Sequence, residues 1–356
     1  MRLIQLGWDD TFAAAFERWG TGFDVEPARV AIEFNHIYRV WTKDAELEAT
    51  VSGRLKHHAE HRSELPAVGD WVVARRRRAG DQAAIVAVLP RRSWFSRKMA
   101  GNLTDEQIVA ANVDVAFIVM ALDADFSVRR LERYLLLARE SGAAPVILLT
   151  KSDVSTALAA QEADVRSVSG ELPVHVVSPK SGHGIEHVAA YLTHGRTGAL
   201  LGSSGVGKST IINRLVGEAV QKTREVRATD SKGRHTTMHR ELVVLPVGGL
   251  IIDTPGMREL QLWDVGEAVR ETFDDIEALA AGCHFTDCRH LGEPRCAVKA
   301  ASADGRLAPG RLESYLGLQK ELVVLARQQD ERAQLDERRR SKVVGKALKK
   351  HLKTKL

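Results

Sequence analysis

The chain has 356 residues, 44% of them hydrophobic, which is enough for two or three packed domains and excludes a disordered polypeptide. No stretch approaches the roughly eighteen consecutive apolar residues of a membrane span, and the N-terminal residues do not resemble a signal peptide. We therefore expect a cytoplasmic monomer without a membrane partner. The formal net charge is only +5, but the basic residues are clustered, which indicates a polyanionic partner.

The N-terminal part is expected to form a short helix followed by a small β-barrel. Aromatic residues at helical spacing indicate a packing face and are Trp8, Phe12, Phe16 and Trp19. Short alternating runs follow at residues 30–34, 38–41, 47–51, 70–74 and 83–88. Strands of this number without intervening helices are typical of an OB-fold-like barrel, a fold that often binds nucleic acid. We place an N-terminal extension at residues 1–29 and the barrel at residues 30–105.

Two basic clusters lie within or just after this barrel. Residues 75–78 are consecutive arginines, and residues 91–98 interleave cations with Trp94 and Phe95. Cations that bind phosphates and aromatic rings that stack on bases are typical of a surface that binds nucleic acid. A solvated face of the barrel is the alternative interpretation.

From residue 113 onwards, predicted strands alternate with predicted helices. The strands are expected at residues 113–120, 145–149, 173–177 and 199–201, and the helices after Ser127, around residues 157–163 and at residues 185–192. Such alternation predicts a parallel sheet covered by helices on both faces. Ligands of such sheets bind at the carboxyl ends of the strands.

A glycine-rich loop follows the last of these strands. It matches the phosphate-binding pattern G-x-x-x-x-G-K-[ST] with Gly202, Ser203, Ser204, Gly205, Val206, Gly207, Lys208 and Ser209. In such loops backbone N–H groups point at the β-phosphate, the lysine reaches the β- and γ-phosphates, and the last hydroxyl ligates Mg²⁺. The helix that begins with Thr210 adds the positive end of its dipole. A Gly/Ser-rich turn before an ordinary helix is the alternative, and the strand before the loop argues against it.

Residues 150–153 follow the second strand of the alternating region and resemble the [NT]-K-x-D motif by which GTPases select guanine. In that motif the carboxylate, here Asp153, accepts hydrogen bonds from guanine N1–H and the 2-amino group. The stem of the lysine, here Lys151, packs along the base. Thr150 stands where asparagine is commoner. Its single hydroxyl would have to make the tethering contacts that the amide group of asparagine makes.

Ser178, Pro179 and Lys180 follow the next strand and resemble the S-A-K loop of GTPases, whose backbone N–H groups meet the guanine carbonyl. Proline has no N–H, so Pro179 cannot make the contact that alanine makes. The amide of Lys180 would have to serve instead.

Residues 250–256 predict a strand that ends in D-x-x-G, with Asp253 and Gly256 at the specified positions. This resembles the GTPase motif in which the aspartate reaches Mg²⁺ through water and the glycine amide senses the γ-phosphate. Thr237 stands where a switch loop supplies a Mg²⁺-binding threonine. The set is complete, but the two guanine motifs precede the phosphate loop instead of following it. This order indicates an α/β P-loop GTPase domain that is circularly permuted, at residues 106–262.

The three cysteines of the chain stand close together and predict a metal site in a reducing compartment. The spacing C-x₄-C-x-H-x₅-C is formed by Cys283, Cys288, His290 and Cys296. Three thiolates and one imidazole suit one tetrahedral Zn²⁺ and leave no open position, so the predicted site is structural. His284 is a competing ligand, but its adjacency to Cys283 would strain the site. Three unligated buried thiols are the alternative.

The order of the motifs, the preceding barrel and the cysteine spacing together resemble the RsgA family of bacterial GTPases that depend on the small ribosomal subunit. The resemblance covers about residues 30–298 and implies hydrolysis of GTP to GDP and phosphate, binding to ribosomal RNA late in subunit assembly, and stimulation by the subunit. A nucleotide-gated RNA-binding switch or chaperone, in which hydrolysis is incidental, is the alternative function.

The same resemblance assigns residues to roles. His235 corresponds to the catalytic histidine of the family, and Met257 stands where Ras-type GTPases carry a water-orienting glutamine; a surface histidine is the alternative for His235. The residues expected to bind GTP are Thr150, Lys151, Ser152, Asp153, Ser178, Lys180, Gly202, Ser203, Ser204, Gly205, Val206, Gly207, Lys208, Ser209, Thr210 and Gly256. Mg²⁺ is expected to accompany GTP on Ser209, Thr237 and Asp253.

The C-terminal part is expected to contain an α-helical zinc-binding domain at residues 263–325, including a helix at residues 311–321. A basic tail at residues 326–356 follows. Such a tail is typical of a phosphate-binding arm, and a purely solubilising extension is the alternative.

Overall fold

The computed structural model describes residues 2–19, 24–77, 81–98, 106–217, 240–253, 269–270, 272–308, 310–324 and 327. The described residues up to Thr272 form one compact unit, and those from Phe273 onwards belong to a second. The predicted domain boundaries after residues 29, 105, 262 and 325 stay predictions. Within the described ranges, no helix combines the length and the hydropathy needed to cross a bilayer.

A closed barrel forms the N-terminal part of the first unit. Its strands are β1 (Glu26–Phe34), β2 (Ile37–Trp41), β3 (Glu46–Val51), β4 (Trp71–Arg76) and β5 (Gln82–Val88). They pair in the order β1-β2-β3-β5-β4, and β4 pairs back with β1; only β3 and β5 are parallel. Alternate side chains of β2 and β3, such as Val40 and Leu47, fill the interior, as the period of two requires. The predicted five-stranded barrel is confirmed.

A helix precedes the barrel and packs on it. Helix α1 (Asp10–Glu17) begins after Asp9, whose carboxylate accepts a hydrogen bond from the N–H of Phe12 at 3.2 Å. The ring of Phe12 is buried, and the ring centroid of Trp8 lies 4.7 Å from that of Trp71 in β4. The predicted aromatic packing face is therefore confirmed for these residues. Short helical segments also lie at Leu3–Leu6, at Gly53–His58 (α2) and at Arg62–Glu64.

A separate two-stranded antiparallel sheet follows, formed by β6 (Trp94–Lys98) and β7 (Glu106–Ala111). This pair of strands was not predicted from the sequence. The cations in residues 91–98 obscured the alternation of β6, whose Phe95 is 2% exposed while Trp94 is 44% exposed.

The second part of the first unit is a mostly parallel sheet. Its strands are β8 (Val115–Ala121), β9 (Ala144–Thr150), β10 (Val174–Val176), β11 (Thr197–Leu201), β12 (Arg240–Val244) and β13 (Leu250–Asp253). The order is β10-β9-β8-β11-β13-β12, and only β12 runs antiparallel to its neighbour in this sheet. The carboxyl ends of the parallel strands therefore meet at one edge. The predicted parallel strands are confirmed, whereas β12 was not predicted.

Helices pack against this sheet. They are α3 (Val128–Ser141), α4 (Leu158–Ser169), α5 (Ile185–Ala190) and α6 (residues 208–217). The hydroxyl of Ser127 caps α3 as predicted, and Gly142, with φ of 82°, ends it. Val188 of α5 and Ile211 of α6 share a buried cluster with Phe117 of β8. Helix α3 packs against β8 and β9 outside that cluster, which indicates helices on both faces.

The barrel and the parallel sheet are hydrogen-bonded into one eleven-stranded sheet. Strand β12 pairs antiparallel with β1, where Ile32 lies opposite Glu241. Arg240 Nη1 of β12 lies 3.5 Å from Glu33 Oε2 of β1. Burial raises the pKa of Glu33, although Arg240 and Arg62 oppose this effect.

Arg29 of β1 is buried at the junction, with 1% of its surface exposed. Its guanidinium donates hydrogen bonds to Gly69 O at 2.9 Å, to Leu6 O, to Asn112 O at 3.2 Å and to Thr197 Oγ1 at 3.0 Å. Burial lowers the pKa of Arg29 to about 10, so the side chain remains charged at neutral pH. Because Thr197 begins β11, one buried side chain ties the barrel to the strand that enters the glycine-rich loop.

The second unit is helical in its described residues, as predicted. Its helices are α7 (Asp274–Ala280), α8 (Ala297–Ala303) and α9 (residues 311–324). Arg311 of α9 pairs with Asp275 of α7 at 2.9 Å and lies 4.4 Å above the ring of Phe273. Tyr315 donates a hydrogen bond to Glu277 at 3.2 Å, which adds a second link between α7 and α9.

Candidate functional site

The glycine-rich loop at residues 202–209 connects β11 to α6, in the position that the sequence predicts. Gly202 has φ of 145°, and a Cβ at this position would lie 2.3 Å from the carbonyl oxygen of Val119. This position therefore requires glycine. Gly205 and Gly207 have φ of 76° and 102°, which also favour glycine and allow the tight turn.

Lys208 folds back over the loop. Its ammonium donates hydrogen bonds to Gly202 O at 2.7 Å and to Ser203 O. Arg130 of α3 holds the same serine from the other side, because its Nη1 donates to Ser203 Oγ at 2.7 Å. Arg130 was not predicted from the sequence, because it belongs to no motif and stands 73 residues before Ser203.

The segment at residues 150–153 joins the glycine-rich loop through Thr150, which ends β9 and is fully buried. Its hydroxyl donates to the carbonyl oxygen of Val206 at 2.7 Å. Lys151 has φ of 59° and its Nζ lies 2.7 Å from Asp123 Oδ2. The hydrogen bond from Lys151 holds the pKa of Asp123 below its usual value. The side chain of Asp153 is exposed, so its carboxylate is accessible to a ligand.

The loop after β10 lies against the other two segments. The side chain of Pro179 comes within 3.8 Å of the position that a Cβ on Gly207 would occupy. Arg214 of α6 donates to Pro179 O at 2.9 Å and to Lys180 O at 2.7 Å. The backbone N–H of Ser178 is used in a hydrogen bond to His183 O. Three loops from different strands thus converge at one edge of the sheet.

The remaining predicted nucleotide residues lie at this edge or outside the described residues. Asp253 ends β13, the neighbour of β11, and Ser209 and Thr210 are exposed on the first turn of α6. Ser152 is partly buried beside Asp153, and Ser204 is exposed. The predicted residues outside the described ranges are His235, Thr237, Gly256 and Met257.

The second unit brings the four predicted metal ligands together. The donor atoms of Cys283, Cys288, His290 and Cys296 all lie within 4.8 Å of one another. His290 Nδ1 is 3.3 Å from Cys296 Sγ and 3.7 Å from Cys283 Sγ, and the two sulfur atoms are 3.9 Å apart. His284 is exposed and lies outside this cluster.

These distances fit one tetrahedral ion. Metal–sulfur bonds of about 2.3 Å place two sulfur atoms of a tetrahedron about 3.8 Å apart. His290 and Cys296 are buried, with 5% and 6% of their surfaces exposed, and a φ of 59° at His290 turns the backbone between the second and fourth ligands. The N–H of Lys299 donates a hydrogen bond to Cys296 Sγ at 3.4 Å. The four residues can hold a metal ion.

Two arginines of the second basic cluster have acidic partners in the structure, and the interpretation of the cluster as a nucleic-acid surface stays a prediction. Arg91 donates to both carboxylate oxygens of Asp70, at 2.8 and 2.7 Å, and Asp70 is fully buried. Arg92 pairs with Asp9 at 2.7 Å. The bidentate pair of Arg91 with a buried carboxylate is a strong constraint on the segment that follows β5. Arg92 links the same segment to Asp9, the residue that caps α1.

The first basic cluster is more exposed. Arg75, Arg76 and Arg77 are exposed at the end of β4, although Arg76 pairs with Glu26. Arg78 lies outside the described residues. This cluster keeps cations at the surface, where a paired arginine still offers further donors to a phosphate.

Comparisons with known proteins support the permuted fold. A model of the RsgA GTPase family matches residues 88–263. The chain is 50% identical over 339 residues to the small ribosomal subunit biogenesis GTPase RsgA of Opitutus terrae. The aligned residues cover 93% of this chain and 92% of that protein. The solved structure of YjeQ from Thermotoga maritima has a TM-score of 0.62 at 24% identity and covers 84% of this chain and 99% of that one. The structure of YloQ, described as a circularly permuted GTPase, has a TM-score of 0.59 at 24% identity, covering 83% and 94%.

Proposed function

The chain belongs to the RsgA GTPase family, and from this premise we propose that it hydrolyses GTP to GDP and phosphate during biogenesis of the small ribosomal subunit. The 50% identity to a relative with that name, over nearly the whole of both chains, supports this function. Within this chain, the main support is that the loops after β9, β10 and β11 converge at the carboxyl edge of the sheet. Such an edge is where open α/β sheets bind their ligands.

Guanine is the base that this edge suits. The exposed carboxylate of Asp153 offers two acceptors, which match the N1–H and 2-amino donors of guanine. Adenine presents no such pair of donors. Thr150 holds this segment to the phosphate loop, and Arg214 holds the loop of Ser178 and Lys180 to the same helix. The base and the phosphates would therefore be bound by mutually anchored segments.

Mg²⁺ would accompany the nucleotide, with ligands from Ser209, Thr237 and Asp253. GTPases of this family are expected to use this ion. Ser209 lies on the first turn of α6, and Asp253 ends β13, the strand beside β11. Bound Mg²⁺ would neutralise charge on the β- and γ-phosphates. The amide of Gly256 would contact the γ-phosphate.

His235 is proposed as the catalytic residue that orients the attacking water, because Met257 cannot act as the glutamine of Ras-type GTPases does. Replacing His235 with alanine should lower subunit-stimulated turnover about 100-fold, a usual contribution of general acid–base groups. The Kd for GTP should change less than about twofold, because the side chain is not proposed to bind ground-state nucleotide. Retained turnover would remove His235 from this role.

We infer that the metal of the second unit is one Zn²⁺ ion with a structural role. Three thiolates and one imidazole match the preference of zinc for sulfur and nitrogen. All four positions of a tetrahedron are supplied by the chain, so no position is left for a substrate. The ion would stabilise the turns between α7 and α8.

Ribosomal RNA of the small subunit is the proposed polyanionic partner, bound by a cytoplasmic monomer. The exposed arginines at residues 75–77 and the basic residues of the tail at 326–356 support phosphate contacts. Each such contact should steepen the decline of affinity with salt.

Co-sedimentation tests the partner. The full chain is mixed with purified small or large subunits, in GDP or in a non-hydrolysable GTP analogue. It should pellet with small subunits only, and more strongly in the analogue. Equal pelleting with both subunits would contradict the proposal. Analogue-dependent binding combined with an absence of GTP turnover would favour the alternative function, a nucleotide-gated RNA-binding switch or chaperone.

A further inference from the structure

Arg130 is a cation at the phosphate loop that no motif of the chain contains. It stands on the first turn of α3, after β8, and its side chain is 37% exposed. Its Nη1 donates to Ser203 Oγ at 2.7 Å and lies 2.6 Å from Asp125 Oδ2. One nitrogen of the guanidinium therefore contacts the loop and a carboxylate at the same time.

The remaining donors of this guanidinium are available. Arginine has five N–H donors in a planar fork. In the described part of the chain, the hydrogen bonds and the ion pair of Arg130 all involve Nη1, and Nε and Nη2 donate to no residue. Anchoring through one nitrogen fixes the plane of the group and leaves one edge for a further acceptor.

Arg130 and Lys208 contact the same residue of the glycine-rich loop. Ser203 is contacted by two cations, since its carbonyl accepts from Lys208 Nζ and its hydroxyl accepts from Arg130. In a phosphate loop the lysine reaches the β- and γ-phosphates. Arg130, on the first turn of α3, thus shares a loop residue with the lysine that is expected to reach the γ-phosphate.

We propose that Arg130 is a further catalytic residue, an arginine supplied by the same chain that contacts the γ-phosphate of GTP. This inference rests on the proposed function. In the reaction the oxygen of water bonds to the γ-phosphorus, and the bond from that phosphorus to the β–γ bridging oxygen breaks. The electron pair stays on GDP, one proton of the water remains on the phosphate product, and the other is released to solvent.

The charge of the transferring phosphoryl group spreads over its equatorial and leaving oxygens, and a guanidinium held beside them stabilises it. Asp125 and Ser203 hold the guanidinium in place before the nucleotide arrives, so little reorganisation is needed during the reaction. Lysine cannot replace this function, because a single ammonium does not offer a rigid fork to Ser203 and to phosphate together.

The test uses the full chain as wild type, Arg130→Ala, Arg130→Lys and Arg129→Ala. Arg129 is the exposed neighbouring arginine on the same helix, so its substitution is a matched control for charge. The measurements are the single-turnover rate of GTP hydrolysis with small subunits, the Kd values for GTP and GDP, and the binding of GDP with aluminium fluoride, an analogue of the transferring phosphoryl group.

Arg130→Ala should lower the single-turnover rate about 1,000-fold or more, in line with arginines supplied in cis or in trans to other GTPases. It should also abolish the complex with GDP and aluminium fluoride, while the Kd for GDP changes less than about twofold, since GDP lacks the γ-phosphate. Arg130→Lys should recover less than a tenth of the rate, and Arg129→Ala should behave as the wild type.

Two results overturn the inference alone. One is an Arg130→Ala variant that hydrolyses GTP within twofold of an active wild type. The other is a variant that loses GDP and GTP affinity equally but hydrolyses bound GTP at the normal rate, which would make Arg130 a support of the loop. A wild-type protein without GTPase activity would overturn the proposed function itself and the inference with it.

Discussion

The candidate nucleotide site at the carboxyl edge of the parallel sheet (the nucleotide edge) and the cluster of Cys283, Cys288, His290 and Cys296 (the metal cluster) differ in how far apart their residues lie in the sequence. Thr150, Pro179 and Lys208 come from different strand ends and meet only because the parallel sheet aligns those ends. The four ligands at residues 283–296 lie within one short segment that turns between α7 and α8. The first site therefore depends on the stability of a whole sheet, whereas the second depends on local turns and on the ion.

The two sites also differ in what binds the ligand. At the nucleotide edge the phosphates are expected to meet backbone N–H groups, so the loop needs glycines with positive φ more than it needs particular side chains. At the cluster every ligand is a side chain. A substitution at one site should therefore change nucleotide binding or metal binding without changing the other.

The largest expected effect is a change of base specificity at the nucleotide edge. Asp153→Asn should shift the preference from GTP to xanthosine triphosphate by a factor of about 10⁴, the discrimination reached by sites built to hydrogen-bond a particular group of the ligand. The amide donor of asparagine pairs with the 2-oxo group of xanthine. Competition binding of the two nucleotides measures this shift.

The control is Asp164→Asn, the same change on an exposed aspartate of α4. It should leave the preference unchanged. Unaltered GTP affinity in Asp153→Asn would remove this residue from the base site. Metal content should be equal in all three proteins.

A somewhat smaller effect is expected at the cluster. Cys288→Ser should weaken metal binding about 100- to 1,000-fold, roughly the share of one ligand in the free energy of a structural site. Metal content and protease sensitivity between residues 283 and 296 are the measurements. GTP affinity should stay within about twofold.

His284→Ala is the matched control, because His284 is adjacent to the first ligand but outside the cluster. It should keep the metal. An absence of zinc in the wild-type protein purified without chelator would contradict the assignment, and loss of metal in His284→Ala would show that the ligand set is wrong.

Arg29 offers a way to weaken the first unit without touching either site. Arg29→Met should lower the free energy of unfolding by about 3 kcal/mol, because several buried carbonyls lose their donor. Urea unfolding measures this loss, and metal content should not change. Arg39→Met is the control, since its exposed pair with Glu46 is worth less than about 1 kcal/mol. Equal losses in both variants would show that the junction does not depend on Arg29.

The smallest expected effect concerns the link between two nucleotide segments. Thr150→Val keeps the shape of the side chain but removes the hydrogen bond to Val206 O. A neutral hydrogen bond of this kind contributes about 1 kcal/mol, so GTP affinity should fall roughly five- to tenfold. Isothermal titration with GTP measures the change. Unchanged affinity would mean that the two segments are held together by other contacts.

The sequence predicted what depends on local pattern. The five barrel strands follow from alternation, the glycine-rich loop from its spacing, and the metal ligands from four residues within one segment. The pairing of β12 with β1 could not be predicted, because the residue pattern of a strand does not specify which distant strand it pairs with. The same holds for buried cations. Arg29 and Arg91 are indistinguishable in sequence from solvated arginines, and only the acceptors brought together by the fold show their structural role.

GTP turnover with and without purified small subunits tests the central claim most directly. The full chain, at a fixed concentration with saturating GTP and Mg²⁺, should hydrolyse GTP slowly alone and at least about tenfold faster with small subunits, because the ribosomal partner is proposed to complete the hydrolytic site. Large subunits should give no such increase. Turnover that is absent in every mixture, or equal with either subunit, would contradict the account.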